Sequence, residues 1–178
     1  KGQTEIVQLL ENPPQKETRG AQANSNAGSA GAKPSGSSGS GTSGEPRKID
    51  RVFLNVVKLG DTEMVRKLLA KGANPNAKDK IIGMTALIYA AIGGKTEIAK
   101  LLIENGADVN AKGNGGWTAL MYAAMGGMGD YTEIAKLLID HGADVNAKNG
   151  NGRTALEIAP SSGHTEVVRI LKNAGAKE

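Results

Sequence analysis

The chain has 178 residues, no cysteine and a formal charge of +4, and its 39% apolar content includes only one Trp, three Tyr and one Phe. The missing cysteines exclude a disulfide framework and thiolate zinc sites, and no run nears the roughly 18 apolar residues of a membrane span. Leu, Ile, Val and Ala must do the packing, which suits thin layers of small residues better than one thick core.

In chain order, the first predicted element is a short helix. In Lys1–Pro14, KGQTEIVQLLENPP, apolar residues stand three and four apart until Pro13-Pro14 stop the pattern. A helix of about ten residues is marginal alone in water, so residues 1–17 read as an element built to pack on something else. Residues 20–44 then hold seven Gly, seven Ser and five Ala. Nothing there can form a core, and residues 18–46 read as a flexible linker spanning roughly 25–30 Å on average. Residues 1–45 carry four basic and four acidic groups, so the +4 arises from the 18 basic and 14 acidic groups beyond them. Those bases are interspersed with carboxylates, as on a solvated surface, and no nucleic-acid stripe is expected.

From residue 47 onward the chain repeats itself. GMTALIYAAIGGKTEIAKLLIENGADVNAK from Gly83 aligns with GWTALMYAAMGGMGDYTEIAKLLIDHGADVNAK from Gly116 and with GRTALEIAPSSGHTEVVRILKNAGAKE from Gly152. A weaker copy, RVFLNVVKLGDTEMVRKLLAKGANPNAK, precedes them from Arg51. Thr85 to Thr118 spans 33 residues, and Thr118 to Thr154 spans 36 because Met128-Gly129-Asp130-Tyr131 replaces Lys95 alone. In each unit a short helix begins at the Thr-Ala-Leu triplet and ends at glycine; a second, Thr96 to Glu104 in one copy, buries Ile98, Leu101 and Leu102. Asn105-Gly106 supplies the positive backbone angle that stops the second helix, and Asp108-Val109-Asn110 with the glycines beyond forms a projecting turn.

The thread G-x-T-A-L-x-x-A-A-x-x-G-x-T-E-I-A-x-L-L-I-x-x-G-A-D-V-N resembles the ankyrin repeat, over about residues 48–178. The resemblance implies an all-α ankyrin-repeat solenoid of stacked helix pairs with short projecting β-turn loops, in copies at about 47–80, 81–113, 114–149 and 150–178. The family's T-P-L-H stands here as Thr85-Ala86-Leu87-Ile88, Thr118-Ala119-Leu120-Met121 and Thr154-Ala155-Leu156-Glu157, without Pro or His. By the same alignment, Gly2-Gln3-Thr4-Glu5-Ile6-Val7 matches Gly94–Ala99, so residues 1–17 resemble the second helix of an upstream repeat. They are expected to be a remnant joined by a tether, with docking on the array as an intramolecular cap, or an engineered fusion, as alternatives.

Little in the chain suggests catalysis. His141 and His164 occupy positions that other copies fill with unrelated residues. Gly93-Gly94-Lys95-Thr96 lacks the first glycine of a phosphate loop, because Tyr89 stands there, and a helix precedes it where a strand is needed. Asp108 and Asp144 recur at one turn and read as hydrogen-bonding within their own loops. We expect no enzyme and no cofactor. The function implied by the resemblance is non-catalytic recognition of a protein partner through the loop tips and the exposed side of the first helices. Mapped onto this chain, the loop positions are Ile81, Ile82, Met84, Asn114, Trp117, Asn151 and Arg153, and the first-helix positions include Ile92 and Met125. Met128 and Tyr131 flank the insertion and complete a Trp- and Met-rich cluster, whose residue types favour recognition. Trp117 and Met125 are expected as central anchors, Met84 and Ile92 as apolar support, and Arg153 as an edge contact. No nucleic-acid or membrane partner is expected, the array is expected to be monomeric, and the resemblance favours an intracellular setting. The alternative from another class is a regulatory or targeting array of a larger enzyme or toxin.

Overall fold

A computed structural model describes residues 47–126, 131–159 and 165–177. The expectations for residues 1–17, for 18–46 and for Met128 lie outside them. The described residues fall within one unit, Pro46–Glu178.

Eight α-helices are found among the described residues. They are α1 Lys48–Leu59, α2 Thr62–Ala70, α3 Ala86–Ile92, α4 Thr96–Glu104, α5 Ala119–Met125, α6 Thr132–Asp140, α7 Ala155–Ile158 and α8 Thr165–Asn173. Each threonine of the Thr-Ala-Leu triplet is buried and caps a first helix. Thr85 Oγ1 accepts from Ile88 N–H at 3.2 Å, and Thr118 Oγ1 from Met121 N–H at 3.3 Å. At Thr154 the cap is reciprocal, because Glu157 also accepts from the Thr154 N–H at 2.6 Å. This capping box satisfies two backbone donors that a helix start leaves open. The first copy has Arg51 in place of the threonine, and its first helix runs on upstream to Lys48, giving 12 residues against seven in α3.

The helices form two rows. First helices α1, α3, α5 and α7 pack in succession, and second helices α2, α4, α6 and α8 do the same, with each pair also packed within its own repeat. Ala90-Ala91 and Ala123-Ala124 are fully buried between first helices, where their small side chains permit close approach. Ile88 and the aligned Met121 are equally buried between repeats, while Glu157 at that position in the last copy is exposed.

The turns are tied by a ladder of asparagines. Asn76 Nδ2 donates to the Gly106 carbonyl at 2.9 Å and its Oδ1 accepts from the Asp108 N–H at 2.7 Å. Asn110 makes the same pair with Gly142 and Asp144, at 3.0 and 2.8 Å, and Asn146 with Gly175 and Lys177, at 3.3 and 2.8 Å. At the turn before the first rung, two other side chains make the equivalent contacts. There Arg47 donates to the Gly72 carbonyl at 3.1 Å while Asp50 accepts from the Asn74 N–H at 2.9 Å, with an Arg47–Asp50 ion pair at 2.9 Å between them. Two side chains thus do at the first described repeat what one asparagine does at each later step. The Asp108 and Asp144 side chains accept from Asn110 and Asn146 N–H within their own turns.

Candidate functional site

Between the second helix of one repeat and the first helix of the next, the chain doubles back in a narrow hairpin. Asp79 N–H donates to the Met84 carbonyl at 2.9 Å, Gly113 N–H to Trp117 at 2.8 Å, and Asn149 N–H to Arg153 at 3.0 Å. Lys78 and Thr85 form an antiparallel bridge in the first of these. Neighbouring hairpins touch. Gly150 N–H donates to the Gly115 carbonyl at 2.6 Å, and a Cβ on Gly116, whose φ is 74°, would stand 3.0 Å from Gly150 N. Only glycine meets both demands there.

The hairpins and the first helices carry the exposed apolar groups. Ile81 is 89% exposed at the first tip, and Ile82 is exposed beside it. Ile92 and Met125 end α3 and α5, each 40% exposed. Met84 and Trp117 are half-buried at the hairpin bases, and the Trp117 ring lies 5.0 Å from that of Tyr122, inclined by 36°. Asn114, Asn151 and Arg153 are exposed, and Arg153 Nη2 donates to the Glu157 carbonyl at 2.6 Å.

Tyr131 requires a correction. Its ring is buried and its hydroxyl donates to the Ile92 carbonyl at 3.2 Å. It braces the end of α3 and does not stand exposed beside the insertion as the sequence suggests.

A polar cluster that sequence reasoning missed stands at the first-repeat end. Lys58 occupies the position of Ile92 and Met125, but its ammonium pairs with Asp79 Oδ2 at 2.8 Å and lies 4.3 Å from the Tyr89 ring centre. Tyr89 OH donates to the same carboxylate oxygen at 3.0 Å, while Asp79 Oδ1 accepts from the Ile81 and Ile82 N–H groups. The Lys58 hydrogen bond, followed by that of Ile81 N–H, holds the Asp79 carboxyl below the usual carboxylate range. Partial burial opposes charge on Lys58, but the hydrogen bonds with Asp79 and Tyr89 outweigh it and its pKa is raised. Burial raises the phenols of Tyr89 and Tyr122. The available signal was the recurrence of Tyr at one position in two copies, Tyr89 and Tyr122, between otherwise buried apolar residues.

Among the described residues no group of three or more His, Asp or Glu side chains could hold a metal ion, and no helix is long and apolar enough to cross a membrane. The arrangement offers apolar and aromatic contact with a few fixed charges. The family model described as Ankyrin repeats (3 copies) matches residues 53–149 and 116–178, together well over half of the chain. The chain belongs to the ankyrin repeat family. Notch-regulated ankyrin repeat-containing protein A of Danio rerio is 39% identical over 83 residues, covering 45% of this chain and 74% of that protein. The human Notch-regulated ankyrin repeat-containing protein is 36% identical over 86 residues, covering 47% and 75%. The glycerophosphocholine phosphodiesterase gde1 of Schizosaccharomyces pombe is 38% identical over 71 residues, 40% of this chain but 6% of that enzyme. Ankyrin repeats generally mediate protein–protein interaction.

Proposed function

We propose that the array is a non-catalytic protein-binding scaffold that uses the hairpins and the exposed side of its first helices. One observation carries the reading. The five large apolar residues most exposed among the described residues are Leu59, Ile81, Ile82, Ile92 and Met125, and all lie on a hairpin tip or at the end of a first helix. None lies on a second helix, where the large apolar residues are buried or at most half-buried. Exposed apolar groups gathered in this way mark interaction surfaces. Trp117, stacked on Tyr122, and the flexible thioether of Met125 are the anchors, with Met84 and Ile92 beside them and Arg153 at the edge.

The test is affinity capture from source-cell lysate with the full chain and its Trp117→Ala/Met125→Ala variant, both checked for equal folding by circular dichroism. A protein held by the first and lost by the second supports the surface. Equal retention by both refutes it. A second reading, a recognition array within a larger catalytic protein, is favoured by the similarity to a short part of the Schizosaccharomyces pombe phosphodiesterase. The complete reading frame separates the two.

A further inference from the structure

The hairpins carry a feature that the apolar reading leaves unused. Residues 78–84, 112–117 and 148–153 hold Lys78, Lys80, Lys112, Lys148 and Arg153 against a single carboxylate, Asp79. That carboxylate is already engaged by Lys58, Tyr89 and two backbone N–H groups. Asp108 and Asp144, in the turns just before, accept the N–H groups of Asn110 and Asn146 and keep their charge. The lysines differ in kind. Lys78 Nζ donates to the Lys112 carbonyl and Lys112 Nζ to the Lys148 carbonyl, each at 3.3 Å. Among the described residues, Lys78, Lys112 and Lys148 form no ion pair with a carboxylate, although Lys148 lies near enough to Glu157 to help hold that carboxyl down.

These bonds do more than use up donors. They place Lys78 and Lys112 along the row of hairpins, each reaching to the next repeat. A carbonyl takes one of the three N–H groups of an ammonium and leaves its charge uncompensated. The row therefore repeats one cation per repeat, at roughly the 8–10 Å of packed helices. An extended chain rises about 3.3 Å per residue, so three residues cover the same distance.

We propose that the lysine row of Lys78, Lys112 and Lys148 is an interaction surface for an extended acidic segment of a partner protein, one with carboxylates at every third residue. The inference rests on the protein-binding reading above but uses different residues from its anchors. A protein segment is favoured over nucleic acid because the same ridge exposes Ile81 and Ile82, apolar side chains that offer nothing to a phosphate backbone.

The probes are three fluorescein-labelled peptides of about 13 residues and a single-stranded oligonucleotide of similar length. One peptide carries Glu at every third position, one has the same composition with its Glu residues clustered at one end, and one has Lys in place of Glu. Fluorescence anisotropy with the full chain at 50 and 500 mM salt is expected to show the spaced peptide binding at least about fivefold tighter than the clustered one at low salt. Most of that binding is expected to vanish at high salt. Lys78→Gln/Lys112→Gln/Lys148→Gln, which retains a hydrogen-bond donor at each site, is expected to weaken the spaced peptide by about tenfold. Trp117→Ala/Met125→Ala serves as the separate control on the apolar anchors. Equal affinity for the spaced and clustered peptides, no binding of either, preference for the oligonucleotide, or an unchanged triple variant would each overturn the proposal. The comparison of spaced with clustered peptide needs only the unaltered chain, so it stands even if the triple variant folds poorly.

Discussion

Replacing Asn110 with Ala tests the asparagine ladder at its middle rung. The side chain makes two bonds across the repeat boundary, donating to the Gly142 carbonyl at 3.0 Å and accepting from the Asp144 N–H at 2.8 Å. A net hydrogen bond contributes about 0.5–1.5 kcal/mol, so the pair contributes about 1–3 kcal/mol. Asn110 is exposed, and water can reach the abandoned carbonyl and N–H, which places the expected loss toward the lower part of that range, about 1–2 kcal/mol. The missing coupling lies between the second and third repeats. Stability in a stack is a sum of repeat and interface contributions, so the variant is expected to unfold over a broader denaturant range as well as a lower one. Urea titration followed by circular dichroism measures the first effect, and amide hydrogen exchange at Asp144, expected to accelerate, locates it. Asn151→Ala is the control. Its side chain is exposed and crosses to no other repeat in the bonds described, so a change within about 0.5 kcal/mol is expected. An Asn110→Ala variant as stable as Asn151→Ala, with unchanged exchange at Asp144, would refute the ladder as a source of inter-repeat coupling.

Two methionines in one helix should behave oppositely. Met121 is fully buried between repeats, so Met121→Ala is expected to cost about 2–5 kcal/mol, whereas Met125→Ala at the exposed end of α5 should stay within about 0.5 kcal/mol, both read from denaturant midpoints. Asp79→Asn probes the Lys58 pair through pH. Because the folded carboxyl titrates below its unfolded value of about 3.9, its stabilisation is present above that value and is lost as pH falls through the folded one. The difference in Tm between wild type and Asp79→Asn is therefore expected to be full at pH 6 and to shrink toward pH 2; a gap independent of pH would sink the assignment.

The helix pairs were legible because their causes are local. Thr85 and Thr118 cap from within three residues, Gly106 accepts a left-handed angle, and the spacing of Ile98, Leu101 and Leu102 marks one face of one helix. The recurrence of that thread about every 33 residues also foretold stacking, since no single pair can bury its own apolar face.

What no local pattern carries is which groups meet across repeats. Lys58 and Asp79 are 21 residues apart, and Tyr131 reaches the Ile92 carbonyl over 39. The same aligned position is an ion-paired lysine in one copy and an exposed apolar residue, Ile92 or Met125, in the next two. Tyr131 shows the limit most plainly, because the sequence places it beside the insertion with other residues suited to recognition, and its burial is set by the neighbouring repeat. Arg47 and Asp50 likewise look like ordinary helix-start charges until the chain folds back to bring the Gly72 carbonyl and the Asn74 N–H beside them. Capping, turn and amphipathic preferences act over a few residues and so are written in the sequence itself. The side-chain environment depends on the adjacent repeat, about 30 residues away along the chain but in direct contact in space, and only the stacked structure decides it.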